Sequence, residues 1–369
     1  MNNCERNVWC LLGLPFDAVT MDETIERIYH SVRTREKCFI STPNLNFLIE
    51  SQNNSDFRNS VINSDLIVAD GKPLIWLARL LNIPLPERVA GSDIIEQLIE
   101  NKKKYEPIKV FFFGGQDGVA EKACEKLNTN NKGLKCVGFY NPGFGSVEKM
   151  STIEIIDIIN KSDADFIVVS LGAKKGQAWI EKNKNKLCAP VISHLGAVVN
   201  FISGSVKRSP KIMQKLGLEW LWRIKEEPAL WSRYIKDASS FLKLLFFKVF
   251  PYFFLIRKLK RIELLNDNDA KSYLIETNAS TLTMNLEGGF YNRDVSEIGC
   301  FEEVLFNHDL NIDIIMTNVS YIDGETIGKL LVFKKKLQNN NRFLCVRSSP
   351  ASIEKIFSYN CCGYLLGNK

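Results

Sequence analysis

The chain of 369 residues contains little histidine and no paired-cysteine motif. Its three histidines, His30, His194 and His308, are widely separated, and none of its ten cysteines belongs to a CxxC pair. Zinc sites and disulfide frameworks both need clustered ligands of these types. We therefore expect reduced cysteines that pack as small apolar side chains, and no metal site.

The sequence also lacks a secretory signal and a well-placed acidic metal motif. The opening stretch "MNNCERNVWCLLGLPF" has a short apolar part that is interrupted by Pro15, so we expect a cytoplasmic protein. One Asp-x-Asp pair, Asp163 and Asp165, precedes an apolar run, and a second one, at 267–269, lies in a polar stretch. Because ligands of α/β sheets bind where strands end, neither pair predicts a metal site.

Positive charge is concentrated in one segment. Residues 201–262 contain fourteen Lys or Arg against four Asp or Glu, whereas the whole chain has a net charge of +6. Within this segment, "FLKLLFFKVFPYFFLI" (241–256) would form a helix of about 24 Å, shorter than the roughly 30 Å hydrocarbon core of a bilayer. We expect it to lie on an anionic membrane surface and not to cross it. The alternatives are a buried helix and a nucleic-acid surface, and the dense Phe run disfavours the second.

Short apolar runs alternate with amphipathic stretches between residues 38 and 200. The strand candidates are "CFIST", "DLIVAD", "IKVFFFGG", "LKCVGFY", "DFIVVSLG" and "APVISH". This alternation predicts an α/β fold with a Rossmann-like, mostly parallel sheet and helices on both faces. Beyond the polar "ELLNDNDAKS", the order strand, helix, strand, helix predicts a second, small α/β unit.

Several strand candidates end in polar residues or glycines, where an α/β sheet binds its ligands. Asp70 follows "DLIVA", Thr42 and Asn44 follow "CFIS", and Gly114 and Gly115 follow "KVFFF". Asp70 can serve as a base or merely as a helix N-cap. The glycine turn can cradle a phosphate or be a plain turn between strand and helix.

Arg88 lies in "LPERVAGSD" (85–93), a loop before a predicted helix. Its rigid, permanently charged fork suits a diphosphate, and a surface ion pair is the alternative. A carboxylate, an arginine and phosphate-cradling turns beside a basic membrane segment favour transfer from a nucleotide diphosphate donor to a lipid-borne acceptor.

Several stretches together resemble the WecG/TagA/CpsF glycosyltransferase family over roughly residues 8–240. They are "TPN" (42–44), "ADG" (69–71), "PLPERVAGSD", "FFFGGQDGVAEKA", "GSVKRSPKIMQKLGLEWLWRIKEEP" and "LWSRY". The resemblance implies an inverting hexosyltransferase that needs neither metal nor cofactor. Its donor would be a UDP-sugar, N-acetylmannosamine-like or a related hexose, and its acceptor an undecaprenyl-diphosphate-linked sugar. The enzyme would work in polysaccharide or cell-wall glycan biosynthesis, as a peripheral protein on the inner face of the cell membrane.

The resemblance also implies roles for individual residues. The catalytic set is Asp70 as the base with Thr42, Asn44 and Gln177, the donor-binding set is Arg88, Gly91, Asp93, Gly114 and Gly115, and the lipid-diphosphate set is Lys207, Arg208, Arg223 and Arg233. In "GAKKGQAW", Gly176 stands where the family has its functional glutamine. We assign that role to Gln177, one position later, through a compensating shift.

The C-terminal part resembles a STAS domain, chiefly in "VSYIDGETIGKLLVFKKKLQNNNRFLCV". Glu325 stands where phosphorylatable members have a serine, so we expect a module for docking a protein partner or for self-association, and no kinase switch. The predicted domains are 1–240 (glycosyltransferase), 241–270 (membrane segment and linker) and 271–369 (STAS-like). The alternative function is a catalytically inactive sensor of sugar nucleotides that signals through the STAS-like domain.

Overall fold

The structure is a computed structural model that describes residues 6–100, 105–130, 132–263, 272–278, 281–290 and 310–367. His308, two of the cysteines and most of the predicted linker lie outside these residues. The chain divides into two compact units. We call Val19–Ile75 with Leu85–Asp237 the central unit, and Met1–Ala18 with Trp76–Pro84 and Ala238–Lys369 the terminal unit. The N-terminal residues thus group with the C-terminal ones, a division that sequence patterns did not predict.

The central unit is built on a six-stranded parallel sheet. Its strands are β3 (Cys38–Ser41), β4 (Leu66–Ile67), β5 (Ile108–Gly114), β6 (Leu134–Tyr140), β7 (Phe166–Ser170) and β8 (Val191–His194). Their spatial order is β4-β3-β8-β7-β5-β6. Each strand coincides with one of the predicted apolar runs, and the α/β fold class is confirmed.

Helices cover both faces of this sheet, which explains why its strands are apolar on both sides. The helices between residues 21 and 226 are α1 (Met21–Thr34), α2 (Leu45–Asn53), α3 (Ser55–Ile62), α4 (Lys72–Leu80), α5 (Gly91–Glu100), α6 (Val119–Asn130), α7 (Ile153–Lys161), α8 (Ala173–Asn183), α9 (Val198–Ser203), α10 (Lys211–Leu216) and α11 (Glu219–Glu226). Successive residues of β5 alternate between two buried clusters: Val110 and Phe112 join one, and Phe111 and Phe113 the other. Because all six strands are parallel, their carboxyl ends lie at one edge of the sheet.

The acidic pair Asp163 and Asp165 lies at the opposite edge, as predicted, because it precedes β7. Asp163 accepts a hydrogen bond from Nζ of Lys109 (2.6 Å), and Asp165 accepts one from Nη1 of Arg35 (2.8 Å). Both carboxylates thus form ion pairs at the edge opposite the carboxyl ends of the strands.

The prediction that all cysteines are reduced is wrong for one pair. Cys124 in α6 and Cys136 in β6 form a disulfide, with their Cα atoms 5.1 Å apart. The two residues are 12 positions apart in sequence, and only the packing of α6 beside β6 brings them together. Linear spacing therefore gave no signal for this bond.

A long helix follows the central sheet. It consists of α12 (Trp231–Leu244), a π-helical turn (Leu245–Val249) and α13 (Phe250–Glu263). Pro251 lies just after the π turn, and a proline removes one helical hydrogen bond and clashes with the carbonyl four residues earlier. The π turn accommodates that disruption without ending the helix.

This helix is longer than predicted. The stretch Trp231–Leu259 has 29 residues, and the mean hydropathy of an 18-residue window within it is 1.6. By length and composition, this stretch could cross a membrane. At 1.5 Å per residue it extends about 43 Å. The predicted segment 241–256 is therefore only the middle of the element. Near its start, Asp237 is buried and accepts hydrogen bonds from the side-chain amide of Asn46 in α2 (3.2 and 3.3 Å).

The terminal unit contains a four-stranded mixed sheet in the order β12-β11-β10-β9. Its strands are β9 (Ser272–Thr277), β10 (Thr281–Phe290), β11 (Asn311–Ile322) and β12 (Leu344–Ser348), and its helices are α14 (Gly324–Asn339) and α15 (Ala351–Tyr359). The predicted order strand, helix, strand, helix is confirmed for β11, α14, β12 and α15. The hairpin of β9 and β10 was not predicted, and the likeness to a STAS domain stays a prediction.

An N-terminal hairpin, β1 (Val8–Leu11) with β2 (Leu14–Asp17), packs against α14. Gly324 and Gly328 face it, and a Cβ added to Gly328 would lie 2.6 Å from the carbonyl oxygen of Val8. Asp323 caps α14 by accepting a hydrogen bond from the backbone N–H of Thr326 (2.9 Å). Part of the α14 surface is thus occupied by the chain's own N-terminal hairpin.

Candidate active site

The chain after β4 is anchored to its neighbours by two backbone hydrogen bonds. The N–H of Asp70 donates to the carbonyl of Pro43 (2.9 Å), and the N–H of Val89 donates to the carbonyl of Ala69 (2.9 Å). The first bond places Asp70 beside the segment that follows β3. The second brings the loop that carries Arg88 to the same place. Polar residues from three separate stretches thereby meet at the carboxyl edge of the sheet.

Asp70 stands at the rim of this edge and not in the core, because its side chain is 28% exposed. Burial raises the pKa of its carboxyl group from 3.8 to about 6. Arg88 and Arg223 oppose that shift, as does a backbone hydrogen bond from Gly91, whereas Glu219 adds to it. A carboxylate with a pKa of about 6 is ionised at neutral pH and is still basic enough to take a proton in a reaction.

Arg88 connects Asp70 with two further carboxylates. Its Nη1 lies 4.0 Å from Oδ1 of Asp70 and donates to Oε1 of Glu219 (2.9 Å), while its Nη2 donates to Oδ2 of Asp93 (2.5 Å). The arginine is therefore held in a fixed orientation, with its charge directed at the crevice. Asp93, which we predicted to bind the donor, contacts this guanidinium in the structure, and its role in donor binding stays a prediction.

The basic segment reaches the same cluster through α11. Glu219, at the start of that helix, binds Arg88, and Arg223 is close enough to lower the pKa of Asp70. Arg208 forms ion pairs with Asp93 and Glu96. Two of the four predicted lipid-diphosphate residues, Arg208 and Arg223, thus lie at the Asp70 cluster.

The other two predicted cations lie elsewhere in the central unit. Lys207 is exposed, and its carbonyl accepts a hydrogen bond from the indole of Trp222 (3.0 Å). Arg233 is exposed near the start of α12, with its guanidinium 5.2 Å from the ring centre of Tyr234. Neither side chain has an ion pair among the residues that the structure describes.

Thr42, Asn44 and Gly91 complete the surroundings of Asp70. Thr42 is almost buried, and its Oγ1 would lie 3.5 Å from a Cβ added to Gly91. Any side chain at Gly91 would also overlap Leu195. Asn44 caps α2 by accepting a hydrogen bond from the N–H of Phe47 (3.2 Å), which leaves its amide nitrogen available to a ligand.

Gln177 does not lie at the rim. It is fully buried, and its amide donates to Oγ of Ser41 (2.8 Å), which in turn bonds Ser64 (2.7 Å). Its side chain thus binds the last residue of β3 inside the core. The space beside Gly176 is occupied by His194, because a Cβ added to Gly176 would overlap the imidazole.

The predicted glycine turn follows β5, four strand positions from β4. At the 4.8 Å spacing of neighbouring strands, it lies about 19 Å from Asp70. Gly114 and Gly115 both have positive φ, and a Cβ on Gly114 would lie 2.8 Å from the carbonyl oxygen of Ser170. Gly115 faces open space. The structure therefore does not bring this turn to Arg88, and only an elongated ligand could touch both.

Within the described ranges, no group of three or more His, Cys, Asp or Glu is arranged to hold a metal ion. The carboxylates of the cluster, Asp70, Asp93, Glu96 and Glu219, face guanidinium groups. Sequence patterns gave no reason to select Glu219 or His194, because their contacts come from residues far away in the chain. Chemically, the cluster offers an accessible base beside fixed positive charge.

Comparisons with known proteins agree with this arrangement. Residues 9–252 match the profile of the glycosyl transferase WecG/TagA/CpsF family. Three similar proteins are each named N-acetylglucosaminyldiphosphoundecaprenol N-acetyl-beta-D-mannosaminyltransferase. The protein of Bacillus spizizenii strain W23 is 29% identical over 56% of this chain and 79% of its own length. That of Bacillus subtilis strain 168 is 27% identical (58% and 82%), and that of Staphylococcus aureus strain MRSA252 is 25% identical (58% and 82%). The chain thus belongs to the WecG/TagA/CpsF family and is a glycosyltransferase.

Proposed function

We propose that the protein transfers N-acetylmannosamine, or a related hexose, from a UDP-sugar to a sugar linked to undecaprenyl diphosphate, with inversion at the anomeric carbon. The acceptor class is the one in the names of the relatives. The observation that carries the proposal is the pairing of a rim carboxylate, Asp70, with a fixed guanidinium, Arg88, 4.0 Å away. The product would serve polysaccharide or cell-wall glycan assembly.

In the proposed reaction, Asp70 takes the proton of the acceptor hydroxyl while the oxygen attacks the anomeric carbon from the side opposite the leaving group. One displacement of this kind inverts the configuration, and a single base suffices. The bond to the diphosphate breaks, and its electron pair leaves with UDP. Thr42 and Asn44 flank Pro43, whose carbonyl accepts a hydrogen bond from the N–H of Asp70, and they would orient the acceptor.

We further propose that arginines, and not a metal ion, neutralise the leaving diphosphate. Arg88 is bound to Glu219 (2.9 Å) in this structure. An incoming diphosphate carries more negative charge than one carboxylate and can use both arms of the fork. It would displace Glu219 from Arg88, while Asp93 keeps the guanidinium in place. Arg223 would add charge from α11.

The donor would lie along the carboxyl edge, with its nucleotide near the Gly114–Gly115 turn and its sugar near Asp70. The distance of about 19 Å between these places requires an elongated molecule, and a nucleotide sugar is elongated.

We propose that the long helix holds the protein on the membrane without crossing it. One face of the long helix packs inside the terminal unit, because Val249, Tyr252 and Ile256 are buried and Nζ of Lys248 donates to the carbonyl of Ser358 (3.0 Å). The opposite face exposes large apolar side chains: Leu242, Phe246, Phe247, Phe250 and Phe254. Exposed cations (Lys243, Arg257, Lys258) accompany them. An aromatic stripe with basic neighbours is typical of a helix that lies in the interface of an anionic membrane.

The experiment that tests the proposal is a UDP-release assay with a lipid diphosphate-linked N-acetylglucosamine acceptor and a panel of UDP-sugars. We expect turnover with UDP-N-acetylmannosamine in the presence of EDTA, an α-linked donor giving a β-linked product, and a loss of at least about a hundredfold in Asp70→Asn with the donor still bound. Turnover that requires magnesium or manganese, or equal loss of donor binding and rate in Asp70→Asn, would contradict it. The inactive-sensor alternative predicts donor binding without release, and the comparisons give it no support.

A further inference from the structure

His194 ends β8, the strand midway along the edge on which the proposed donor would lie. In the sheet order, β8 is two strand positions from β4 and two from β5. Each separation amounts to about 10 Å at the usual strand spacing. A ligand that extends from the Gly115 turn to Asp70 therefore passes the end of β8. The residue there is well placed to contact the middle of that ligand.

The hydrogen bonding of His194 fixes its tautomer. Nε2 lies 2.5 Å from the carbonyl oxygen of Leu171, and a carbonyl can only accept, so Nε2 carries a proton. Burial lowers the pKa of the imidazole, which keeps the ring neutral at physiological pH. Nδ1 is then unprotonated and acts as a hydrogen-bond acceptor.

Nδ1 is available to a ligand. It has no hydrogen-bond partner among the residues that the structure describes, and it is not one of the buried polar atoms sealed from solvent. The residue as a whole is 8% exposed. A buried imidazole with one nitrogen anchored and the other open is pre-organised to receive a single hydrogen bond.

Gly176 creates the space for this ring. A Cβ at that position would overlap Cδ2 and lie 2.9 Å from Cγ of His194. Phe47 of α2 contributes another wall, with its ring centre 6.2 Å from that of the imidazole. A side chain at position 176 and the imidazole at position 194 would thus occupy the same space. The polar side chain in this space is therefore His194 of β8, and α8 contributes only Gly176.

We propose that Nδ1 of His194 accepts a hydrogen bond from a hydroxyl or N–H group of the sugar-nucleotide donor, making His194 a donor-binding residue of this glycosyltransferase. The inference rests on the proposed function, because the donor class comes from it. The donating group lies either on the transferred sugar or on the nucleoside. The first would make His194 a determinant of sugar specificity.

Two substitutions separate the two nitrogens. In His194→Gln the side-chain amide can still donate to Leu171 from the position of Nε2, but no acceptor remains at Nδ1. In His194→Asn an oxygen can occupy the position of Nδ1, but the bond to Leu171 is lost. We expect kcat/KM for the UDP-sugar to fall about tenfold in His194→Gln, as for one lost hydrogen bond, and to stay within about threefold of the native value in His194→Asn.

The matched control is His30→Gln, the same change at a half-exposed histidine on α1, which we expect to leave kcat/KM unchanged. The proposal is overturned if His194→Gln keeps the native kcat/KM. It is also overturned if Gln and Asn lose activity equally in parallel with a fall in melting temperature, since that pattern indicates a purely structural role.

Gly176→Ala provides an independent test. The added methyl group should displace the imidazole and lower kcat/KM at least as much as His194→Gln does. Gly172→Ala is the control for the fold, because a Cβ there meets nothing within 4 Å, and its melting temperature should stay near the native value. Native kcat/KM in Gly176→Ala would contradict the proposal.

Binding measurements locate the contact and separate the two levels of inference. Calorimetric titration with UDP should show weaker binding in His194→Gln if the contact is to the nucleoside, and unchanged binding if it is to the sugar. If the native protein binds the UDP-sugar but transfers nothing, the proposed function fails. The Gln and Asn variants are then compared by the dissociation constant of the UDP-sugar, and equal constants in both variants and the native protein overturn the proposal.

Discussion

Nη1 of Arg88 lies 4.0 Å from Oδ1 of Asp70, yet the pKa of the Asp70 carboxyl group is raised and not lowered. Burial therefore outweighs the attraction of the guanidinium. The negative charge of Glu219, which binds Arg88, raises the pKa further. The arginine is held beside the base without suppressing its basicity, and this balance has consequences that can be measured.

The first prediction concerns the pH dependence of turnover. A general base must be ionised, so kcat/KM should fall about tenfold per pH unit below about 6, the pKa of Asp70. In Arg88→Gln the guanidinium no longer lowers this pKa, and the midpoint should move to higher pH. Steady-state rates between pH 5 and 8 test this. A profile that is flat across this range would exclude Asp70 as the titrating base.

The second prediction concerns the stability of Asp70→Asn. The folded pKa lies above the unfolded value of 3.8, so the folded state binds the proton more tightly, and the free energy of unfolding falls as pH rises from about 4 to 6. Asparagine removes the charge responsible for this loss. We expect the variant to be more stable than the native protein by about 1–2 kcal/mol at pH 8, with no difference at pH 3.

Urea unfolding at the two pH values measures this difference. Equal stability at pH 8 would show that the carboxylate is not destabilised by burial. A gain in stability together with a loss of turnover would be the pattern expected of an active-site residue, where function and stability conflict.

The third prediction concerns the fork of Arg88. Arg88→Ala should weaken the binding of UDP about tenfold or more, and Arg88→Lys should not restore it, because one ammonium cannot contact Asp93 and a diphosphate in the fork geometry. Arg79→Lys is the matched control, since Arg79 is exposed on α4 and has no ion pair among the described residues. Calorimetric titration with UDP is the measurement, and full affinity in Arg88→Lys would contradict the role.

The sequence predicted the sheet and the residues at its carboxyl edge well, because both depend on local pattern. Buried parallel strands are continuous apolar runs, and the residue that follows such a run must lie at the carboxyl edge. The positions of Asp70, Thr42 and Asn44 after β4 and β3 therefore follow from the sequence pattern alone. Arg88 was placed less directly, since its position depends on the backbone bond between Val89 and Ala69.

What sequence patterns did not predict depends on contacts between distant residues. The pairing of Arg208 with Asp93 and Glu96 joins positions more than a hundred residues apart. The imidazole of His194 fits beside α8 because Gly176 has no side chain. A single glycine does not change the apolar periodicity of a helix, so the sequence pattern did not indicate this contact. The length of the helix was underestimated because only the Phe-rich stretch 241–256 was taken as helical, whereas the helix extends from Trp231 to Glu263.

The fourth prediction concerns membrane attachment. Replacing Phe246, Phe250 and Phe254 together by serine removes three exposed rings from one stripe of the long helix. At roughly 1 kcal/mol per ring inserted into the interface, partitioning onto vesicles rich in phosphatidylglycerol should weaken about a hundredfold. Phe144→Ser is the control, because Phe144 is fully exposed but does not belong to the long helix.

Co-sedimentation at low and high salt measures this partitioning. The aromatic contribution should persist at high salt, whereas the contribution of Lys243, Arg257 and Lys258 should be screened. Unchanged binding of the triple variant would contradict the proposed attachment. Extraction of the native protein only by detergent, and not by salt or alkali, would instead favour a helix that crosses the bilayer.

The fifth prediction concerns the contact between α14 and the N-terminal hairpin. Alanine in place of a helical glycine normally stabilises a protein by up to about 1 kcal/mol. At Gly328, however, the added Cβ would lie 2.6 Å from the carbonyl oxygen of Val8 and 3.0 Å from the backbone nitrogen of Cys10. Both neighbours are backbone atoms of a paired strand, which cannot move aside as a flexible side chain can.

Because overpacking of this kind costs about 1–3 kcal/mol, we expect Gly328→Ala to lower the melting temperature by several degrees. Gly363→Ala is the control and should leave the melting temperature unchanged, because a Cβ added there meets nothing within 4 Å. A melting temperature of Gly328→Ala at or above the native value would show that the hairpin does not pack on α14 in solution.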